Sequence, residues 1–586
     1  MEVGLSTVLV SNGSIDYKGN LAHKHTTGGW RAAPFIIVNE VAERLAFFGI
    51  AVHMASYLST EMNQPLPNAA AHTSTWIGAA HLLTLFGAFM ADAYLGRFRT
   101  IAIFSSLYAV GMILLTLSAS VESLQPPECV TGTDCTPATI GQDLFLFIAL
   151  ALIAIGTGGI KPCVSAFGAD QFDEADEKEA QGKSAFFNWF FFAISLGSLF
   201  GIAVLSYIQD RAGWTWGFAV PTLAIIMSIL ILVSGFTNYR FQKPTGSAFT
   251  RFAQVIVAAV RNYYKGVKVA VDGILYEVPT KESDIVGARK IAHTSHYSFL
   301  DKAAVVTDPE TNRRSRWRLC TVTQVEELKC MIRTMLIWAS TIALSTSFIQ
   351  LSTFFISQAK ITNRNIGPNF EIPAGAAPVF SSLTAMSLVP IYEALVVPVL
   401  HRLTGNPRGL TSLQRMGVGL FISIFAMGAA ALVENMRRTS YPEMHSMSVF
   451  WLLPQFILMG SAEVFTYVGQ LEFFYNEATD GTRSISSAIF LSGIGIGSWL
   501  SSVLVRVIEA ATGGPDKGWL RSDLNKSRLD SFYWILTGIN IVNFLVYLSV
   551  SLRFQGRSSA PGSVADESML IDSVAPNAAA KDSSRS

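Results

Sequence analysis

The chain has 586 residues, 50% of them hydrophobic and only 15% charged, and its formal net charge is +1. Soluble domains carry about 25% charged residues, so this composition excludes an ordinary soluble domain and indicates an integral membrane protein. A near-neutral chain also gives no reason to expect nucleic-acid binding. The first residues, "MEVGLSTVLV", have no basic region before their apolar patch, so no secretory signal peptide is expected.

Twelve apolar stretches follow along the chain, and each is long enough to cross a bilayer as a helix. They are predicted at 33–60, 72–95, 100–120, 140–168, 184–208, 214–236, 331–357, 374–400, 411–434, 447–475, 484–510 and 529–553. Six plus six spans around a polar linker are typical of the major facilitator fold, in which two helical bundles rock about a central site. The sequence therefore predicts an all-α membrane protein with 12 transmembrane helices in two bundles, 33–236 and 331–553.

The basic residues predict the orientation of these spans. The linker, 237–330, carries fifteen Lys and Arg, whereas the loops 61–71 and 121–139 carry none. Because positive charge marks the cytoplasmic side, both termini are expected in the cytoplasm. Outside the bundles we therefore predict a cytoplasmic N-terminal segment at 1–32 and a disordered tail at 554–586.

Within the linker, "TRFAQVIVAAVRNYYKG" at 250–266 has the pattern of an amphipathic helix lying along the membrane.

The cysteines give no metal-ligand spacing, and no enzyme site is evident at membrane depth. Neither a metal nor an enzymatic activity is therefore expected. Cys129 and Cys135 share one short loop, "PPECVTGTDC". They would pair if that loop faced an oxidising compartment, and two free thiols are the alternative.

Three charges interrupt the first apolar stretch, in "IVNEVAERLAFFG". Leu45–Thr60 alone would give only about 24 Å of helix, whereas the hydrocarbon core is about 30 Å thick. The start of the helix, with Glu40, Glu43 and Arg44, must therefore also lie at membrane depth. These side chains share one face, and charges in a membrane normally face an interior cavity. The alternative is a helix capped by Asn39, with its charges at the membrane surface.

Two further charges stand within apolar spans. Lys161, just before Pro162, is about 13 Å from the predicted cytoplasmic end of its helix, and Glu463 lies near the middle of the tenth span. Charges from both halves at similar depth indicate a site between rocking bundles. A carboxylate in a poorly solvated cavity binds a proton more readily than one in water, and a nearby cation opposes this. We therefore expect proton coupling, and a Lys161–Glu463 bridge would tie the halves together.

Motifs along almost the whole chain resemble those of the plant nitrate/peptide transporter family, which belongs to the proton-dependent oligopeptide transporters of the major facilitator superfamily. They include "NEVAERLAFFG", "GAFMADAYLGRFRTI", "GTGGIKPCVSAFGADQFDE", "FLDKAAVVT", "GLTSLQRMGVG", "GQLEFFYNEA" and "DLNKSRLDSFYW". The resemblance implies proton coupling by Glu40, Glu43 and Arg44. It implies coupling or substrate binding by Lys161 and Glu463.

The resemblance also implies a structural or gating loop at 87–100, with Asp92 and Arg97 at its marker positions. Thr100 matches a threonine that is phosphorylated in the nitrate-transporting member, so a kinase is a candidate partner. The alternative is that Thr100 caps the third helix.

Several positions depart from the family pattern. Phe348 occupies the position of the histidine that binds nitrate, Phe47 and Phe48 replace two tyrosines, and Ser195 replaces an asparagine. In the eighth span, "YEA" replaces the usual Y-D-R. The cavity is therefore expected to be more apolar than in peptide or nitrate carriers. Its candidate lining residues are Phe47, Phe48, Ser195, Trp338, Phe348, Phe354 and Phe355, with packing as the alternative for the aromatic ones.

The expected function is that of a proton-coupled symporter for a small anionic or zwitterionic solute. Nitrate, di- or tripeptides, plant hormones and specialised metabolites are the candidate solutes. The expected partners are the solute, protons and the lipid bilayer, with no cofactor beyond protons as the coupling ion. The alternatives are a proton-independent facilitator and a transport-sensing receptor. A plasma membrane is expected, with a vacuolar membrane as the alternative.

Overall fold

The structure is a computed structural model of the whole chain. It describes residues 9–10, 13–127, 136–173, 176–242, 244, 246–267, 275–279, 283–285, 290–307, 315–368, 370–404, 409–440, 447–479 and 482–554. The predicted pairing of Cys129 with Cys135 and the tail from residue 555 lie outside these residues.

Six long helices form the N-terminal half. They are α1 Ala33–Thr60, α2 Leu66–Met90, α3 Arg97–Ser120, α4 Ile140–Ala169, α5 Glu177–Ala212 and α6 Trp214–Ser234. Local sequence fixes several of their starts. Proline stands in the first turn of α1, where a missing N–H costs nothing, and Thr139 with Gln142 forms a capping box at the start of α4.

The linker contributes one helix and one 3₁₀ segment. Helix α7, Ala248–Tyr264, matches the predicted amphipathic helix closely, and the 3₁₀ segment is Ser298–Ala304. One face of α7 is buried, with Phe252 and Val255 among its residues. Residues on the opposite face, such as Val257, are apolar and exposed. That face suits a helix lying on a membrane, which stays a prediction.

The seventh predicted span is wrong as a single helix. It consists of α8 Val322–Ala339, α9 Ile342–Phe348 and α10 Phe354–Lys360, with a 42° bend after α8. The break lies in a Ser/Thr-rich stretch, where Thr341 Oγ1 donates to the carbonyl of Trp338 at 2.8 Å. Such side chains compete for backbone hydrogen bonds and bend helices.

The remaining elements complete the C-terminal half. They are a short antiparallel hairpin, β1 Asn365–Ile366 with β2 Phe370–Glu371, and the helices α11 Val379–Ile391, α12 Val397–Thr404, α13 Ser412–Ser440, α14 Leu453–Glu463, α15 Gly469–Glu477, α16 Arg483–Thr512, α17 Gly514–Lys517 and α18 Leu529–Arg553. Among the described residues, ten helical segments are long and apolar enough to cross a membrane, and the bent pair makes an eleventh. Helix α1 has 28 residues and carries the three predicted intramembrane charges. The count of twelve spans and the cytoplasmic termini stay predictions.

In the part of the chain that the structure describes, three spans contain a wider, π-helical turn. These turns are Ala91–Leu95 after α2, Tyr392–Val396 between α11 and α12, and Val464–Val468 directly after Glu463. Isolated π turns occur frequently at functional sites.

Both bundles belong to one compact unit, and the halves touch each other within it. Thr75 Oγ1 of α2 and Ser502 Oγ of α16 are 2.8 Å apart, and Trp499 Nε1 donates to the carbonyl of Thr75 at 3.0 Å. These contacts lie toward the ends of α2 and α16 that are predicted to face outward. The second unit contains the described parts of Ser247–Ile337, Tyr475–Arg483 and Ser549–Ser586.

Candidate transport site

Helix α1 holds its three charges inside the protein. Glu40 and Glu43 are 0% and 1% exposed. Arg44 Nε donates to Glu40 Oε1 at 2.6 Å and lies 3.4 Å from Glu43 Oε2. Asn39 lies within the helix, not at its cap, and is itself buried. Asn39 therefore does not cap α1, and the three charges lie inside the protein and not on its surface.

Lys161 approaches the same cluster from α4. Its Nζ atom is 3.9 Å from Glu43 Oε1 and 3.2 Å from the centre of the Phe47 ring. The residue is only 5% exposed, so the cation–π contact with Phe47 is made away from water. The position of Lys161 within its span thus allows a contact with Glu43.

Several polar atoms of the cluster make no hydrogen bond. They are Glu40 Oε2, both carboxylate oxygens of Glu43 and Lys161 Nζ. Leaving a buried polar group without a partner costs about 1–3 kcal/mol, and more for a charged group. A purely structural ion cluster normally satisfies such atoms, which distinguishes this cluster from an ordinary buried salt-bridge network.

The ring of Phe47 is held by other aromatic side chains. It stacks on Trp76 at 5.6 Å and meets His81 and Phe48 edge-on at 5.4 and 5.7 Å. Phe47 is 2% exposed, so it supports the lysine and does not form an open wall of a cavity. The sequence analysis missed both Trp76 and this role of Phe47, because only the fold shows which ring lies under the ammonium group.

Glu463 ends α14 in the opposite half and is partly exposed. It forms no hydrogen bond or ion pair with any residue that the structure describes, so the expected bridge to Lys161 is absent in this conformation. A carboxylate within a membrane span is costly when it has no cation as partner.

Phe348 and Trp338, two other candidates in the C-terminal half, are also partly exposed and remain suitable as lining residues. The ring of Phe348 packs against Tyr467 at 5.8 Å, and Tyr467 OH is 3.0 Å from Ser345 Oγ. Trp338 Nε1 donates to the carbonyl of Ile489 at 2.9 Å. In the N-terminal half, Ser195 is partly exposed as well.

Phe354 and Phe355 do not line a cavity. They are 1% and 0% exposed and pack against Phe532 and Phe456 respectively. For these two residues the packing alternative is correct. The sequence could not decide this, because an apolar run does not reveal which side chains face a cavity.

The loop between α2 and α3 is fixed by an ion pair. Arg97 Nη1 lies 2.5 Å from Asp170 Oδ1 at the end of α4. Gly96 adopts a φ of 76°, which glycine allows without strain.

Thr100 is fully buried and donates to the carbonyl of Gly96 at 2.9 Å. This bond favours the alternative that Thr100 stabilises the start of α3. Phosphorylation, which would need this turn to open, stays a prediction.

A second buried charge cluster ties the linker together. Ligand atoms of His293, Asp301 and Glu326 lie within 4.8 Å of one another, as in a metal site. The ammonium group of Lys329 already pairs with Asp301 at 2.7 Å and with Glu326 at 2.9 Å. These contacts give the motif "FLDKAAVVT" a structural role, since Asp301 belongs to it.

The sequence matches the family model described as the POT family over residues 98–520. The chain belongs to this family. Among relatives from Arabidopsis thaliana, Protein NRT1/PTR FAMILY 8.5 is 46% identical over 557 residues, which cover 94% of each chain. Protein NRT1/PTR FAMILY 8.3 is 44% identical over 562 residues, covering 94% of this chain and 95% of the relative.

Solved structures of POT family members have the same fold. An auto-inhibited POT family peptide transporter matches with a TM-score of 0.65 at 18% identity, covering 90% of this chain and 97% of its own. The transporter PepTSo matches with a TM-score of 0.66 at 20% identity, covering 90% and 98%. The protein is therefore a multi-pass membrane transporter with the major facilitator fold.

Proposed function

We propose that this POT family member is a proton-coupled symporter for a small zwitterionic solute with an apolar body. One observation carries the coupling: Glu43 is buried between two cations, yet neither of its carboxylate oxygens accepts a hydrogen bond. Such a carboxylate can gain and lose a proton without breaking a hydrogen-bonded network.

The proton would act through the charge balance of the cluster. When Glu43 is ionised it attracts Lys161, whose Nζ is 3.9 Å away. Protonation removes that attraction and leaves the ammonium group, which makes no hydrogen bond, available to a carboxylate on the solute. The proton and the solute therefore both stabilise the loaded state of the carrier. Each shifts the equilibrium between the carrier's conformations only as far as it binds one conformation more tightly than the other.

The substrate class follows from the second charge. Glu463 lies in the opposite half without a cation among the described residues, so it suits an amino group. A solute with a carboxylate for Lys161 and an amino group for Glu463 would bridge both halves. Solved relatives include peptide transporters and a member in complex with 5-aminolevulinic acid. Phe48, which unlike Phe47 is partly exposed, favours solutes with apolar side chains, such as hydrophobic dipeptides.

The coupling is tested by uptake into proteoliposomes with an inward proton gradient. We expect accumulation of a hydrophobic dipeptide that needs the gradient and is lost in Glu43→Gln. The matched control is Glu61→Gln, which removes a carboxylate just beyond the end of α1. Uptake that ignores the gradient and survives Glu43→Gln would identify a facilitator, and full binding without uptake would identify a sensor.

The substrate class is tested with a dipeptide and its N-acetyl derivative, which lacks the positive charge. In Glu463→Gln we expect uptake of the free dipeptide to fall about tenfold or more, as the loss of a charged hydrogen bond implies, with little change for the acetylated form. Equal losses for both would refute the amino-group assignment. Transport of a hormone or of nitrate, but of no dipeptide, would show that the site binds an anion and not a zwitterion.

We further propose the plasma membrane as the location, with the vacuolar membrane as the alternative. A fluorescent fusion of the full chain in plant cells distinguishes the two.

A further inference from the structure

A cavity of about 580 Å³ lies in the second unit, where the linker meets the ends of two spans. Its walls include His296 and Tyr297 from the linker, Arg333 and Leu336 from α8, and Arg553 from α18. The proposed transport cycle uses none of these residues.

The cavity contains positive charge without a counter-ion. Neither Arg333 nor Arg553 forms an ion pair with any residue that the structure describes, and no carboxylate is among the lining residues. Arg333 Nε is buried without a hydrogen-bond partner, and its Nη2 atom has only the sulfur of Cys330, a weak acceptor, at 3.2 Å. A buried guanidinium nitrogen normally has a carboxylate or phosphate partner, and Arg333 Nε has none among the described residues.

The same cavity has an apolar side, formed by Leu336 of α8 and Val550 of α18. Leu336 is 57% exposed, and Leu552, which lies beside the cavity next to Arg553, is 85% exposed. Arg553 is the last residue of α18, so the cavity lies where the hydrocarbon region gives way to the linker. The basic residues of this linker predict that this is the cytoplasmic side.

We propose that this cavity binds the phosphate-bearing headgroup of an anionic phospholipid. The two guanidinium groups would bind the phosphate, with His296 and Tyr297 as further polar partners, because planar guanidinium groups suit phosphate oxygens. The acyl chains would lie along the exposed leucines of α8 and α18. Basic pockets between helices on the cytoplasmic side of membrane proteins bind such headgroups. Zwitterionic lipids lack the net negative charge to compete.

The test measures lipid binding to the purified full chain by native mass spectrometry. The lipids are phosphatidylinositol 4-phosphate and phosphatidylcholine. We expect the anionic lipid to bind preferentially, and Arg333→Gln or Arg553→Gln to weaken it about tenfold each, the loss of one charge-assisted hydrogen bond. Arg402→Gln is the matched control, because it removes an exposed arginine from the end of another helix, α12.

Each outcome decides the proposal. Arg553 is exposed at a helix end, so its variant should fold normally even if Arg333→Gln does not, and an unchanged melting temperature checks this. Equal binding by Arg553→Gln and Arg402→Gln would overturn the site. Displacement of the lipid by an equal concentration of soluble inositol 1,4-bisphosphate would overturn the lipid assignment, since the acyl chains would then contribute nothing.

Discussion

We predict that the side chains of Lys161 and Phe47 stabilise each other. Their coupling free energy can be measured without knowing the substrate. Replacing Phe47 by leucine keeps an apolar side chain but removes the ring 3.2 Å below the ammonium group. The lysine then keeps only Glu43, at 3.9 Å, as a close partner among the described residues.

The expected magnitude follows from burial. A cation–π contact is worth about 0.5–1 kcal/mol at an exposed site and about 2 kcal/mol when desolvated. Lys161 is 5% exposed and Phe47 is 2% exposed, so the desolvated value applies. Phe47→Leu also removes packing against Trp76, and a double-mutant cycle with Lys161→Met separates that loss from the pairwise one. We expect a coupling free energy of about 2 kcal/mol.

The assay is reversible unfolding of the four purified proteins by titration with sodium dodecyl sulfate in mixed micelles. The control cycle pairs Lys161→Met with Phe48→Leu, because no cation–π contact joins Phe48 to Lys161 in the described structure. That cycle should be additive within about 0.5 kcal/mol. Additivity in the Phe47 cycle as well would refute the idea that the ring stabilises the ammonium group.

Three further predictions concern the contacts between helices and the substrate site. In Thr75→Cys/Ser502→Cys, whose native hydroxyl oxygens are 2.8 Å apart, oxidation should form a disulfide that blocks uptake until a reductant is added; undiminished uptake by the fully cross-linked protein would contradict a moving contact between the halves. Arg97→Gln should lower the free energy of unfolding by about 3 kcal/mol, because it removes the guanidinium group that pairs with the carboxylate of Asp170, and adding Asp170→Asn should recover part of the loss; an additive double variant would contradict this pairing. Phe348→His places a side chain that is positively charged at acidic pH in a partly exposed position. This variant should produce nitrate currents at acidic pH that Phe348→Tyr does not produce; equal currents from both variants would refute the argument.

The charged cluster could be predicted from the sequence because simple length arithmetic applies to membrane helices. Leu45–Thr60 is too short to span a bilayer, so the preceding charges had to be buried. The depth of Lys161 followed from the same rise per residue. Hydropathy and helix geometry together are therefore sufficient to place a charge along a span.

Contacts across helices could not be predicted in this way. Whether Phe47 supports a lysine or Phe355 fills a core depends on how helices rotate against each other, and an apolar run is compatible with either. The break after Ala339 also escaped prediction, because the hydropathy of the predicted seventh span, 331–357, is continuous across it. Side-chain competition for backbone hydrogen bonds is invisible to hydropathy.

The π-helical turns give the two halves a resemblance that their side chains no longer carry. The second span of the first half ends in the turn Ala91–Leu95, and the second span of the other half contains the turn Tyr392–Val396, where "YEA" departs from the family motif. The two bundles thus share this feature of backbone hydrogen bonding at a place where the sequence of the second departs from the family motif. An alignment of the two halves should therefore be anchored on these turns, and a helical wheel should not be drawn straight through them, since each turn changes the direction in which the later residues face.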